Sequence, residues 1–180
     1  MTRATLTVVC IALLTIAACS SQPARRAASP ERDAEMFARI AALEGEWEPA
    51  SPDADVPYTA VFTVSSAGSV VREIMFPGHP HEMTNLYHMD GRDLVLTHYC
   101  AAGNQPRMIA HEVRETAEGT VYEFDFDSVS NPRPEHDHYM GRVTLTLLRD
   151  GTIRQDWRSY DRNGKLTEPT AFALKRKRGP

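Results

Sequence analysis

Cysteine is scarce in this 180-residue chain: Cys10, Cys19 and Cys100 are the only three. The first two lie in or beside an N-terminal apolar stretch, and Cys100 is the one free thiol of the body that follows. A disulfide framework is thereby excluded, so stability must come from a buried core. Catalytic signatures are missing too. There is no Gly-x-Ser-x-Gly elbow, no His-Glu-x-x-His pair and no glycine-rich phosphate loop. Cys100 follows His98 by two positions on an extended segment, a spacing that need not join thiolate to imidazole, and it reads as a structural thiol. The balance is against an enzyme. No internal repeat marks a solenoid or propeller. Basic residues cluster only at 175–178, without interleaved aromatics, and the formal net charge is −4. A nucleic-acid partner is not expected.

The one long apolar run, residues 6–17, follows Arg3 and is short for a membrane span. It ends in Ile16-Ala17-Ala18-Cys19, which resembles a bacterial lipobox. The resemblance implies a signal peptide over 1–18, cleavage before Cys19 and acylation of Cys19. Ser20, rather than Asp, is similar to lipoproteins sent on to the outer membrane. The expected address is the cell envelope, lipid-anchored, on the periplasmic face of the outer membrane. Several acyl chains anchor stably, since each buried CH₂ contributes roughly 0.8 kcal/mol. Loss of Arg3 takes the net charge from −4 to −5. Residues 19–29 are rich in Ser, Ala, Pro and Arg, a composition that predicts a disordered tether. At ~3.5 Å per residue it reaches roughly 35 Å from the bilayer.

The remainder, 30–178, is long enough for one domain with a sizeable core. Ser29-Pro30-Glu31 supplies an N-cap, a proline at the first helical position and an acid in the first turn. Met36, Phe37, Ile40 and Leu43 fall at helical spacing, which predicts a short amphipathic helix over 30–43. Period-2 alternation then predicts strands over 45–48, 58–65, 69–76, 82–89, 94–100, 107–115, 120–127, 138–149, 152–160 and 170–176. The fold class is all-β: an up-and-down antiparallel barrel of 8–10 strands. Alternate connections are short, at 65–68, 90–91, 118–119 and 150–151. The others, at 49–57, 77–81, 101–106, 128–137 and 161–167, are long and rich in Pro, His, Asn and Arg. Successive loops of a meander alternate between ends, so all the elaborate loops share one rim.

The short Asp90-Gly91 link preserves parity between its strands. It places Asn85, Tyr87, His98 and Cys100 inside, with Thr84, His88, Thr97 and Tyr99 outside. Tyr122, Phe124 and Phe126 point in, as do Val143, Leu145 and Leu147. Trp157 joins them if 149–151 is a three-residue loop with Gly151 in the left-handed region.

Gly45-Glu46-Trp47, following a short helix, resembles the opening of the calycins, the superfamily of lipocalins and fatty-acid-binding proteins. The resemblance implies that Trp47 packs under a basic side chain of the last strand, Arg176 or Lys175. It also puts the helix at the closed end of the barrel. Thr97-His98-Tyr99-Cys100 with Asn104-Gln105-Pro106-Arg107-Met108 resembles a bacterial family of small secreted lipocalin-like proteins to which no activity is assigned. The strand count is similar to that of nitrobindin-type haem barrels, whose glycine-rich opening motif has no match here.

Two chemistries suit the elaborate rim. In the first, Asn104, Gln105 and Arg107 form a turn that grips an anionic head group, while an apolar tail enters past Asn85, Tyr87 and His98. That ligand needs an interior cavity of about 300 Å³. The alternative for these rim residues is that Asn104 and Gln105 cap their own loop and Arg107 pairs with a neighbouring acid. In the second chemistry, His79, His81, His136 and His138 bind a divalent metal, zinc or copper, beside Glu135 and Asp137. No cofactor is required by either pattern. A barrel filled by its own side chains would instead be a non-catalytic structural or interaction lipoprotein.

Overall fold

In the computed structural model, residues 30–52, 58–132 and 138–178 are described. The chain opens with helix α1 (Pro30–Ala41), which carries Glu31 and Asp33 in its first turn and Arg39 in its last. Those charges match the helix dipole at each end. Met36, Ile40 and Leu43 are buried and Phe37 packs beside them. The helix is two residues shorter than its apolar spacing predicts. Leu43 and Glu44 donate to the carbonyls of Ile40 and Ala41, tightening the final turn.

Eleven antiparallel strands follow: β1 (Gly45–Pro49), β2 (Ala60–Ser65), β3 (Val70–Met75), β4 (Met83–Asp90), β5 (Asp93–Tyr99), β6 (Gln105–Ala110), β7 (Val113–Glu115), β8 (Gly119–Ser130), β9 (Met140–Leu148), β10 (Ile153–Ser159) and β11 (Thr170–Arg176). Neighbours in sequence pair in space except β6 and β7, both of which pair with β8, and β1 pairs with β11. The result is a closed ten-strand barrel, with β7 a short extension on β8. Closure leaves the barrel no free edge.

The expected strand over 107–115 is thus two strands, parted at His111-Glu112. Both pair with β8, whose register slips between Arg107 and Met108. Moreover, β8 runs to Ser130, so part of the expected loop at 128–137 is sheet. Gln105, Pro106 and Arg107, expected in a turn, also belong to the sheet, as the start of β6. Pro106 is tolerated there because β5 pairs with β6 only from Arg107 onward.

The two ends of the barrel differ as the loop lengths imply. The links 66–68, 91–92, 116–118 and 149–151 are tight, and Gly151 has φ +84°. Leu148 donates to the Thr152 carbonyl across a three-residue loop, which sets Trp157 opposite Val143 and inside. Helix α1 closes this end. Arg39 pairs with Glu115 and donates to Thr120, while the Tyr122 hydroxyl reaches the Met36 carbonyl.

Trp47 and Arg176 tie the helix to the sheet. The Arg176 guanidinium lies 4.7 Å from the Trp47 ring centroid and donates to the Glu44 and Ala42 carbonyls at 2.6 and 2.8 Å. The indole N–H donates to the Leu43 carbonyl at 2.8 Å. Gly45 has φ +129°, a backbone that L side chains rarely adopt, and a Cβ there would also sit 2.8 Å from Arg176 Nη1.

Two stability changes are expected from these contacts. Arg176→Leu removes two charge-assisted hydrogen bonds and a cation–π contact, a loss of about 1–3 kcal/mol. At Gly119 a Cβ would stand 2.0 Å from the Leu147 carbonyl oxygen. Gly119→Ala therefore forces β8 and β9 apart and costs about 1–3 kcal/mol. Urea unfolding of each variant measures both, and an unchanged midpoint would contradict the assigned contact.

Candidate functional site

The interior is divided between an apolar half near the helix and a polar cluster below the elaborate rim. At the centre of the cluster is Glu73, fully buried on β3. Its Oε1 accepts from the Tyr58 hydroxyl at 2.6 Å and from Gln155 Nε2 at 2.7 Å. Its Oε2 accepts from Asn85 Nδ2 and from the Tyr87 hydroxyl, both at 2.7 Å. Four donors fill the four lone-pair directions of a carboxylate. Among the described residues it makes no ion pair, so hydrogen bonds alone compensate its burial. Burial, and then the neighbouring Glu73 charge, hold the Tyr58 and Tyr87 hydroxyls well above the usual tyrosine range. Both tyrosines remain donors. Gln155 Oε1 in turn accepts from Trp157 Nε1 at 3.0 Å.

The cluster dictates the state of His98. Asn85 points its amide nitrogen at Glu73, so its oxygen faces His98 Nδ1 at 2.7 Å. An amide oxygen only accepts, which puts the imidazole hydrogen on Nδ1. Nε2 then carries a bare lone pair. It is buried and has no hydrogen-bond partner among the described residues. Burial lowers the His98 pKa to about 4, so the ring is neutral at physiological pH.

His98 lines a cavity of about 130 Å³ under the elaborate rim. The other walls are Met75, Phe76, Met83, Met140, Trp157, Ser159, Thr167, Thr170 and Phe172. Phe76 is held at φ +54°, an uncommon backbone for a bulky residue, with its ring against Tyr58 and Phe172. Such geometry costs on the order of 1–3 kcal/mol, and it concentrates at ligand clamps and switches. The cavity falls well short of the ~300 Å³ of a typical ligand site. Below it the barrel is filled by side chains.

A larger groove of about 540 Å³ lies at the helix end, open to solvent and flanked by Arg39, Arg149 and Arg176. Its guanidiniums are already engaged. Arg39 holds Glu35 and Glu115, Arg149 holds the carbonyls of Thr116 and Ala117, and Arg176 caps the helix. Of the three, only Arg39 is paired with carboxylates among the described residues; Arg149 and Arg176 spend part of their donors on backbone carbonyls and keep their charge.

The structure distributes the expected site residues unevenly. Asn85, Tyr87 and His98 are together inside, the first two bound to Glu73. Asn104 Nδ2 donates to the His138 carbonyl, and Gln105 Nε2 to that of Gly103. Ser130 donates to Gln105 Oε1, and Asn131 to the Gly103 carbonyl, so these amides knit loop to loop. Arg107 lies on the outer face, because Pro106 and Met108 turn inward. There it bridges Asp127 at 2.5 Å and Asp90 at 3.2 Å. It is not at the cavity mouth.

Of the rim histidines, His79, His81 and His138 lie among the described residues, and these three do not gather as metal ligands. His79 and His81 are exposed and stacked at 5.3 Å, with the His81 amide donating to His79 Nδ1. His138 is exposed, and His136 lies outside the described residues. Among the described residues, no three His, Cys, Asp or Glu side chains gather as metal ligands. Cys100 is half-buried with a free thiol. Three members of the cluster, Tyr58, Glu73 and Gln155, are absent from the sequence-based candidates. Comparison with known proteins adds no assignment: no protein-family model matches the chain, and no curated protein matches it.

Two measurements test this geometry. The imidazole of His98 is expected to stay neutral down to pH ~4, so NMR titration near 6.5 would contradict the buried tautomer. The stability consequence has a definite sign. The folded-state pKa of about 4 lies below the unfolded value of 6.5. The contribution of His98 is therefore intact above pH 6.5 and is lost as the pH falls toward 4, by about 3 kcal/mol in total. Urea midpoints across that window measure it, against His98→Gln. At Glu73, an unpaired buried donor costs about 1–3 kcal/mol. Glu73→Leu removes the acceptor of four donors, of which Tyr58 alone keeps another oxygen, Gln155 Oε1 at 3.3 Å, and should unfold the protein, whereas Glu73→Gln, retaining one acceptor oxygen, should fold with reduced stability. Equal stability of Glu73→Leu and wild type would refute the network.

Proposed function

We propose that this protein is a lipid-anchored envelope protein that binds a small ligand in the cavity beneath its elaborate rim. The observation that carries this reading is the bare lone pair of His98 Nε2 on an otherwise largely apolar wall. A buried acceptor left unpaired costs free energy and calls for a partner; Asn104 Oδ1 is the other such atom among the described residues, but only His98 lines the cavity. The ligand must therefore accept that lone pair, either as a hydrogen-bond donor or as a Lewis acid. It must also be compact. The interior cavity, about 130 Å³ among the described residues, does not meet the ~300 Å³ that the expected amphipathic ligand needs, so that expectation is given up and the ligand proposed is a group of a few atoms. Anchoring through Cys19 is supported by the lipobox-like Ile16-Ala17-Ala18-Cys19 alone.

Native mass spectrometry of the protein isolated from its own membrane tests both parts. The expected species begins at an acylated Cys19 and retains a small bound mass. Met83→Phe, which fills the cavity, should release that mass while leaving the acyl chains. If the wild type retains nothing, and envelope extract leaves the His98 ¹⁵Nε2 resonance unmoved, the binding reading is defeated and the filled barrel is a scaffold.

A further inference from the structure

The cavity brings together ligand atoms of an unusual kind. His98, with its neutral imidazole, and the thioether residues Met75, Met83 and Met140 line one cavity. Met75 Sδ is 3.3 Å from Asn85 Nδ2, and Asn85 also holds His98 Nδ1, so one amide orients both a sulfur and the imidazole. The Trp157 ring lies beside them, its centroid 5.0 Å from that of His98. We propose, resting on the ligand-binding reading above, that this is a site for a soft monovalent metal ion, Cu(I), held by His98 Nε2 and methionine sulfurs.

Ligand chemistry selects the ion. Thioether and imidazole donors favour Cu(I), whereas hard cations need oxygen ligands, and Zn²⁺ sites are built from His, thiolate and carboxylate. The cavity wall has no carboxylate or thiolate. Behind the imidazole stands the support that metal-binding histidines need. Nδ1–H donates to Asn85, and Asn85 donates to Glu73, a relay that fixes the tautomer and raises the basicity of Nε2. Glu73 also places a carboxylate two hydrogen bonds from the ion without taking a coordination position. No proton leaves the neutral ring and no electron moves; the ion arrives and stays as Cu(I).

The test uses the full-length mature protein with Cys100→Ser, which removes the competing thiol, and Cu(I) supplied anaerobically against a chromogenic Cu(I) chelator. One equivalent is expected to transfer to the protein, quenching Trp157 fluorescence and shifting His98 ¹⁵Nε2. Ag(I), which is redox-inert, should do the same, and Zn²⁺ should not. Met83→Leu with Met140→Leu preserves volume and removes only sulfur, so it should fold normally and lose at least tenfold in Cu(I) affinity. His79→Ala with His81→Ala should bind as the parent does. Failure to compete with the chelator, or affinity that survives loss of the sulfurs but falls with the rim histidines, overturns the proposal. A small organic mass retained in the native spectrum, with no Cu(I) uptake, would overturn the metal site and leave the binding reading intact.

Discussion

A carboxylate buried without a cation is the constraint around which this barrel is organised. Burying an unpaired charge costs far more than burying an amide, and only a full set of hydrogen bonds makes it tolerable. Glu73 draws its donors from four separate places: the end of the long loop before β2, two positions on β4, and β10 across the barrel. Each donor is then itself fixed. Asn85 must turn its oxygen to His98, Gln155 must turn its own toward Trp157, and both tyrosines must keep their protons. The rotamers and tautomers beneath the rim thus follow from one buried charge. A partly satisfied network would be worse than an apolar core, so the cluster is held together or lost together.

This arrangement also explains why the polar interior is not a cavity. Polar residues inside a small barrel can be read as contacts for a ligand. Here Asn85 and Tyr87 are spent on Glu73, and only one atom of the network, His98 Nε2, remains unspent. Volume and chemistry agree on the consequence. The space left is small, bounded by methionines, aromatic rings and the hydroxyl residues Ser159, Thr167 and Thr170, with His98 in its wall. At the rim above, the amides of Asn104, Gln105 and Asn131 stitch loops to one another, and Arg107 braces the outer wall.

The sequence made the barrel and its one-sided loops legible because those rest on period-2 alternation and turn length, both local. Faces were readable wherever a turn kept parity. The two-residue link after Asp90 assigns Asn85, Tyr87 and His98 to the interior, and the three-residue loop ending at Gly151 does so for Trp157. Glu73 was hidden for the same reason in reverse. Its strand reads Val70-Val71-Arg72-Glu73-Ile74-Met75, with two apolar residues and one charge on either face. The seven residues from Phe76 to Glu82 break parity with β4. Gln155 was within reach, since it lies two residues before Trp157 on the same face. The extent of β6 was not, because Asn-Gln-Pro-Arg reads as a turn by composition and only the pairing with β8 makes it a strand.

The seam between the first and last strands bears on how the chain folds. β1 pairs with β11, and Arg176 grips carbonyls at the end of the helix across a sequence separation that spans nearly the whole domain. Nine strands can form their hairpins in order as the chain emerges, yet the cylinder cannot shut until the tenth arrives. Until then an open sheet exposes two unpaired edges, a template for pairing with other chains. Contacts this distant in sequence also slow folding. The Arg176 bonds to the helix-end carbonyls can form only once that last strand is in place.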